Sequence, residues 1–521
     1  MKSIVIVGGG TSGWMSAIAL SSYFPELKIT VIDPSAISPI GVGESVTGVV
    51  LQFVRHPVHQ LDLSEFFRET DATIKLGIWY KDWCGPGSEY LTPIDSPDRF
   101  FDHVYPSCLE DFFAANTAEG KSIGEIQTHG RLMRLNKTDL FRQPDGSTSS
   151  RASMASCQFD ALKFASWLKR TASRRQTVSH VDEIVQRVEQ DPDTGFVTKV
   201  ITEEGSEIGG DLFLDCTGFR RLLLEKVYSP RWVDLSRYLK VDRAIACPVE
   251  YGAGQDIPVY TTATAMPNGW MFQVPVQSRM GTGYVYSSRY VSDEQAIREC
   301  RGAGLDPGES PRIIRFDVGK LASQWEKNVC AIGLAGGFLE PLEATTIHAM
   351  HVQIMMLTEL FLPFYTKQAA NGLARKYNVM MDAMYEDYVD FVSFHYHTGR
   401  SDTEFWRDYQ KKESVTDENH ARMEKWAHAY PLREDFAPMM TSFGRAQLTS
   451  GLKIWMPMLC ALGHVRKENA ESWMASRKTV PLIRANRAKY RQLGDAICRT
   501  AVGQEDAIRY LCGVDAGPGE P

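Results

Sequence analysis

The first residues in this 521-residue chain whose types and spacing suggest chemistry lie near its start. Gly8-Gly9-Gly10-Thr11-Ser12-Gly13 fits G-x-G-x-x-G, with Gly8, Gly10 and Gly13 at the required places. Gly8 permits a tight turn, Gly10 lets the backbone approach a pyrophosphate, and Gly13 lets a helix pack closely on a strand. The free N–H groups at the helix start, around Thr11 and Ser12, then face the phosphates without needing a cation. Asp33 lies 20 residues beyond Gly13, where a carboxylate can accept hydrogen bonds from a ribose hydroxyl. This is dinucleotide-binding chemistry, and the turn alone does not separate FAD from NAD.

Other segments are weaker taken singly. Gly41-Val42-Gly43-Glu44 reads equally as a plain loop or as a strap whose glycines let the chain pass close to a cofactor. Asp215-Cys216-Thr217-Gly218 ends an apolar strand in a small-residue turn, and Val329 to Leu334, with Gly333 and Leu334 at its end, leads into Gly336-Gly337. His348 and His351 stand three apart with no matching carboxylate or cysteine pattern, which points to packing or hydrogen bonding and to no metal site. Gly281-Thr282-Gly283 lacks a third glycine, so no second nucleotide fold is expected.

The elements that position these residues follow from periodicity. Ile4 to Val7 and Ile29 to Ile32 are short β-branched runs suited to buried strands, with a helix over Trp14 to Ser22 between them. Residues 63–83 read as helix and then strand, and Phe159 to Thr171 as an amphipathic helix. Val181 to Val188, Thr198 to Thr202 and Leu212 to Leu214 read as strands, with a turn at Asp193-Thr194-Gly195. From Ile347 onward the pattern is mostly helical, its aromatic residues suit a core, and Gly513 to Pro521 is a tail expected to fray.

Composition bounds the rest. Hydrophobic residues at 43% and charged residues at 23% fit a folded protein. A net charge of −7 gives no general footprint for nucleic acid. Ten cysteines without a CxxC pair argue against a zinc ribbon or a disulfide scaffold. No segment approaches the ~20 apolar residues of a membrane helix, and the N-terminus lacks the pattern of a secretory signal. A cytoplasmic protein is expected, with no membrane partner.

Two further segments narrow the chemistry. They are Ala72-Thr73-Ile74-Lys75-Leu76-Gly77-Ile78, followed by Trp83, and Gly337-Phe338-Leu339-Glu340-Pro341-Leu342-Glu343-Ala344-Thr345-Thr346-Ile347. With the opening turn and Gly41-Val42-Gly43-Glu44, the chain resembles the flavin-dependent halogenases of the tryptophan/indole type. Collinear support comes from Phe159-Asp160-Ala161, from Asp211 to Arg220, from Asp242-Arg243-Ala244 and from Trp325-Glu326-Lys327-Asn328. The likeness runs from residue 1 to about 365, and more weakly into His395-Tyr396 and Phe405-Trp406.

The resemblance implies an α/β fold: an FAD-binding Rossmann-type core of flavoprotein-monooxygenase kind with an interleaved sheet region over residues 1–360, and a mainly helical substrate-side region over 361–521. It implies FAD supplied reduced by a separate flavin reductase, with oxygen and a halide (bromide or chloride) as co-substrates. Hypohalous acid then forms and travels to a small aromatic substrate, an indole or tryptophan-like ring. The cofactor residues it implies are Gly8, Gly10, Thr11, Ser12, Gly13, Asp33, Gly41, Val42, Gly43, Glu44, Gly333 and Leu334. The family's catalytic lysine falls on Lys75 and its catalytic glutamate on Glu343, and its halide position falls on Thr345 and Thr346.

Those residue types suit the task. Hypohalous acid is a weak electrophile because hydroxide leaves poorly, and a lysine ammonium in a dry site can donate to that oxygen. If a haloamine forms instead, Lys75 must first be neutral, which burial favours. A carboxylate stabilises the cationic ring and helps remove its proton. Two departures from the family pattern stand out: Trp270-Met271-Phe272-Gln273-Val274-Pro275 replaces a second Trp and an Ile, and Ala344 replaces a serine. The alternatives are a single-component FAD-dependent aromatic hydroxylase, which would need no Lys75, and an idle flavin-binding protein. Homodimerisation is left open.

Overall fold

The Ile4-Val5-Ile6-Val7 run builds the middle of a parallel sheet. A computed structural model describes residues 1–36, 44–94, 108–142, 148–149, 155–309, 311–436 and 451–514. The chain alternates between two units: Met1–Asp71, Phe159–Ser236 and Phe316–Glu386 form the first, and Ala72–Gln158, Arg237–Arg315 and Asp387–Pro521 the second.

In the first unit, β1 (Ser3–Val7) leads into α1 (Thr11–Tyr23) and β2 (Lys28–Ile32). The chain later supplies α2 (Ala161–Ser173), β3 (Val178–Val181), β4 (Leu212–Asp215), β5 (Trp325–Glu326), β6 (Val329–Ala331) and α3 (Thr345–Met356). The sheet order is β3-β2-β1-β4-β6-β5, parallel except for the β5–β6 pair. Strands buried on both faces read as continuous apolar runs, as Ile4 to Val7 does, and Val5, Val7, Phe213 and Val329 share one core. Order reverses between β1 and β4. Ligands in such sheets bind at that crevice, beyond the carboxyl ends of the strands.

One expected strand divides. Val181 to Val188 is β3 ending at Val181 and a separate strand, Val185–Gln190, that pairs antiparallel with Val197–Thr202. Asp160 caps α2 by accepting from the N–H groups of Leu162 and Lys163, both at 3.0 Å, so the helix starts two residues after the expected Phe159. A helical run over Leu342–Phe364 is long and apolar enough to cross a membrane, contrary to the sequence expectation that none is. Some 72% of its apolar window is buried, so the protein core covers the surface that lipid would otherwise need to cover.

The second unit holds an eight-stranded sheet. Its path runs Ile313–Arg315, Arg243–Ala246, Arg279–Tyr286, Gly269–Pro275, Thr261–Met266, Gly77–Lys81 and Glu89–Pro93, with Val249–Glu250 beside Arg279–Tyr286. Thr73–Lys75 forms a separate antiparallel ribbon with Ser156, Cys157 and Gln158. Beyond residue 400 the described elements are helices except for the strand Ala501–Gly503, which pairs with Lys137–Arg142. Trp406, Trp426 and Trp455 are all fully buried there and serve as core.

Candidate active site

The glycine turn is held by its neighbours. Gly8 has φ +105°, and a Cβ on it would lie 2.3 Å from the carbonyl oxygen of Cys216. A Cβ on Gly13 would lie 1.9 Å from Gly8 O, so that glycine is what lets α1 close onto β1. Gly10 differs: a Cβ there meets nothing within 4 Å. No side chain caps α1 at Gly10, which leaves the first-turn N–H groups of the helix for a ligand.

These residues border a cavity of about 360 Å³ built wholly from the first unit. Gly8, Gly10, Thr11, Ser12, Asp33, Gly333, Leu334 and Thr346 line it, while Gly13 packs behind the turn. Asp33 Oδ2 accepts from Lys169 Nζ at 2.8 Å, and its side chain lies against Gly9. Gly41, Val42 and Gly43 lie outside the described residues, and Glu44 opens the short strand Glu44–Ser45.

Each parallel strand gives its C-terminal residues to the cavity: Gly8 after β1, Asp33 after β2, Glu183 after β3, Cys216 after β4 and Gly333 after β6. Sequence reasoning missed Glu183, and Arg220 and Met350 besides. Glu183 accepts from the hydroxyls of Thr202 and Ser206 at 2.5 and 3.1 Å. The strand-end rule would have found it had the break after Val181 been recognised. The Asp215-Cys216-Thr217-Gly218 turn is shaped by the fully buried Asp215. Its carboxylate accepts from Thr217 N and Oγ1 at 3.1 and 2.7 Å, and from Leu223 N and Leu224 N at 2.8 and 3.1 Å. Burial pushes its pKa up despite these four bonds.

Glu343 sits in the first unit at a sharp corner. It and Ala344 adopt left-handed backbone, φ 63° and 56°, and the chain then enters α3 at Thr345. Two consecutive non-glycine residues in that region are uncommon and cost energy. Ala344 provides no side-chain cap, so α3 also presents its first-turn N–H groups, at a buried Thr345 and a half-buried Thr346. Glu340 is fully buried nearby in sequence, whereas Glu343 is half-buried. His348 and His351 are buried in α3, where desolvation lowers their pKa values to about 3 and about 4. Among the described residues no group of three or more His, Cys, Asp or Glu is arranged to hold a metal ion.

Lys75 ends the Thr73–Lys75 strand of the second unit and is 1% exposed. Thr73 Oγ1 donates to Pro275 O at 2.7 Å, Leu76 N donates to Val259 O at 2.7 Å, and Ile94 N donates to Leu76 O at 2.8 Å. The chain is therefore tied on either side of the lysine, through the Thr73 side chain before it and the Leu76 backbone after it. Trp270, Phe272 and Val274, in the segment that departs from the family pattern, are all buried.

A family model described as tryptophan halogenase matches residues 3–477. The chain belongs to the tryptophan halogenase family. It is 34% identical to tryptophan 7-halogenase KtzQ of Kutzneria sp. (strain 744), the match covering 78% of each chain. To tryptophan 6-halogenase SttH of Streptomyces toxytricini it is 33% identical, over 84% of this chain and 86% of that one. Among solved structures it matches Xcc4156, a flavin-dependent halogenase from Xanthomonas campestris, with a TM-score of 0.83 and 28% identity, over 100% of this chain and 99% of the other. The mixed α/β architecture with a helical C-terminal region is that of flavin-dependent halogenases. Within this halogenase the glycine turn and Glu343 belong to the first unit, and Lys75 to the second.

Proposed function

We propose that the protein halogenates an electron-rich aromatic, an indole or tryptophan-like ring, in the cytoplasm, using FAD reduced by a separate flavin reductase. The first-unit cavity fits that cofactor. Gly10 leaves room where a side chain would intrude, the α1 N–H groups have no side-chain cap, and Asp33 supplies a carboxylate after β2. Gly8, Thr11, Ser12, Gly333 and Leu334 complete the wall that would hold it, Gly13 lets α1 pack against the turn, and the Gly41-Val42-Gly43-Glu44 strap is assigned to the same role. Bound in reduced form, FAD supplies the two electrons with which oxygen turns bromide or chloride into hypohalous acid.

The chain's own residues make that reagent selective. Thr345 and Thr346 offer the halide the positive end of α3. The Lys75 ammonium gives a proton to the hypohalous oxygen as the ring takes the halogen, so the oxygen leaves as water rather than hydroxide. The Glu343 carboxylate takes the ring proton, and aromaticity returns. The observation that carries this reading is a lysine 1% exposed on a strand held by the Thr73 hydroxyl before it and by the Leu76 backbone after it. Burial is an unusual fate for lysine, and it strengthens any bond its ammonium makes to a reagent.

The test supplies purified protein with FAD, a flavin reductase, NADH, oxygen, bromide or chloride, and a panel of indole, tryptophan and phenol, with products read by mass spectrometry. Halogenated product is expected. Hydroxylated product free of halogen would instead make the protein a hydroxylase. Lys75→Ala should bind FAD and reoxidise it as the parent does, yet halogenate nothing, and retained halogenation would remove Lys75 from the mechanism.

A further inference from the structure

The Thr73–Lys75 strand has two edges. Along one, Thr73 and Lys75 stand opposite Gln158 and Ser156. Residues of an antiparallel pair alternate between turning both backbone groups toward the partner and turning both away. Ile74 is turned away. Its N–H donates to Gln504 Oε1 at 3.3 Å, and its carbonyl accepts from Gln504 Nε2 at 2.8 Å.

A primary amide carries acceptor and donor in one rigid plane, so Gln504 closes that edge as a single residue of a neighbouring strand would. The same Nε2 reaches Pro258 O at 3.4 Å, and the next residue, Val259, accepts from Leu76 N at 2.7 Å. Ile74 and Leu76, the two neighbours of Lys75, are thereby tied to one short segment. Gln504 is 4% exposed and lies 430 residues from Ile74 in sequence, beyond the stretch 3–477 that the family model matches.

Gln504 is itself held. It opens the helix Gln504–Leu511 directly after Ala501–Gly503, which pairs with Lys137–Arg142, and Thr138 Oγ1 donates to Val502 O at 3.1 Å. The preceding helix, Val480–Thr500, is pinned by Arg487 to Glu119 at 2.6 and 2.7 Å and by the Tyr490 hydroxyl, which accepts from Thr128 N at 3.2 Å. The C-terminal arm thus reaches the lysine strand at one polar side chain.

We propose that Gln504 is a positioning residue for Lys75, fixing the lysine's backbone so that its ammonium meets the hypohalous oxygen in a productive geometry. The inference rests on Lys75 being the residue that activates the halogen. A lysine stem is long and rotamer-rich, so a loosened backbone spreads its tip over many positions, and a displacement of about 1 Å at a reacting group costs as much as a hundredfold in rate.

The test uses the full chain with FAD, a flavin reductase, bromide and indole, and compares the parent with Gln504→Met and Gln504→Glu. Met keeps the volume and loses the bonds to Ile74 N, Ile74 O and Pro258 O. Ionised Glu keeps an acceptor for Ile74 N and loses the bonds to Ile74 O and Pro258 O. N-acetylmethionine, with catalase present, traps stray hypobromous acid as the sulfoxide. Both variants should bind FAD and reoxidise it at the parent rate. Bromoindole formed per reduced FAD should fall about tenfold, with a matching rise in sulfoxide. In Gln504→Glu the yield should recover as pH falls, because the protonated acid regains a donor. A merely structural role would change neither the partition nor its pH profile. Parent-level bromination by Gln504→Met overturns the inference, as does loss of the folded protein in both variants, which would make Gln504 a residue of folding. A parent that brominates nothing overturns the proposed function itself, so the two failures are told apart.

Discussion

Thr73, two residues before Lys75, donates its hydroxyl to the carbonyl of Pro275 at 2.7 Å, at the end of the Trp270–Pro275 segment in which Phe and Val replace the family's Trp and Ile. The bond joins the lysine strand to the end of a central strand of the large sheet. If Lys75 acts as proposed, the bond should make the chemistry sensitive to a residue that need not touch substrate.

Thr73→Val keeps the shape and removes the hydroxyl, leaving Pro275 O without that donor in a buried place. Stability should fall by about 1–3 kcal/mol, the range for a lost bond that leaves a buried group unpaired. Urea unfolding checks this, and an unchanged midpoint would mean that water replaces the hydroxyl. Halogenation per reduced flavin should fall as well, while FAD affinity stays at the parent value.

Gly10 and Gly13 should separate binding from folding. Gly13→Ala drives a Cβ to within 1.9 Å of Gly8 O and should destabilise by about 2 kcal/mol or more, through overpacking of α1 on β1. Gly10→Ala meets open space and should lose less than about 1 kcal/mol, mostly from a poorer helix N-cap. Its cost should appear in cofactor binding, about tenfold in Kd by flavin fluorescence, because the methyl enters the cavity beside the α1 N–H groups proposed to hold the phosphates. Equal effects of the two changes on Tm would defeat the distinction.

Much of the first unit was legible because its signals are local. The glycine turn, its flanking strands and Asp33 fall within the first 33 residues, and each type has one mechanical reason to be there. Glu183 was hidden because Val181 to Val188 reads as one β-branched run, with Val181, Ile184, Val185 and Val188 apolar and no glycine or proline to mark the break. The register cannot tell that the chain leaves a parallel sheet at Val181 and enters an antiparallel ribbon at Val185. Gln504 carries no local signal at all, since its meaning depends on a backbone edge 430 residues away. Lys75 and Glu343 stand out as candidates only through family resemblance, since neither burial at Lys75 nor left-handed backbone at Glu343 can be read from a lone residue type.

Three buried histidines of the first unit should set an acid limit. Desolvation holds His59 at about 4, His351 at about 4 and His348 at about 3, with His56 and Arg175 adding positive charge around His59. Their unfolded value is about 6.5, so below that pH the unfolded chain binds more protons. Their contribution is full above about 6.5 and is lost as pH falls toward 4, at about 1.4 kcal/mol per pH unit for each unmatched proton. His351→Leu should shrink the stability difference between pH 7 and pH 5 by about 1–2 kcal/mol in paired urea titrations. An undiminished difference would show that His351 titrates normally in the folded protein.

The corner at Glu343 and Ala344 should trade stability against halide binding. Ala344 holds φ 56°, where a methyl is strained and glycine is not, so Ala344→Gly should stabilise by about 0.5–1 kcal/mol after its added freedom in the unfolded chain is counted. The same freedom loosens the entry to α3 and with it the N–H groups at Thr345 and Thr346 assigned to the halide. KM for bromide should therefore rise about threefold, with a smaller change in kcat, because preorganised donors lose most when their backbone can move. Glu343→Gln should do the reverse, leaving halide KM in place while kcat falls at least tenfold, since an amide accepts a ring proton poorly. If Ala344→Gly lowered kcat and left KM unchanged, the halide would not be held at this helix end, and the corner would serve Glu343 alone.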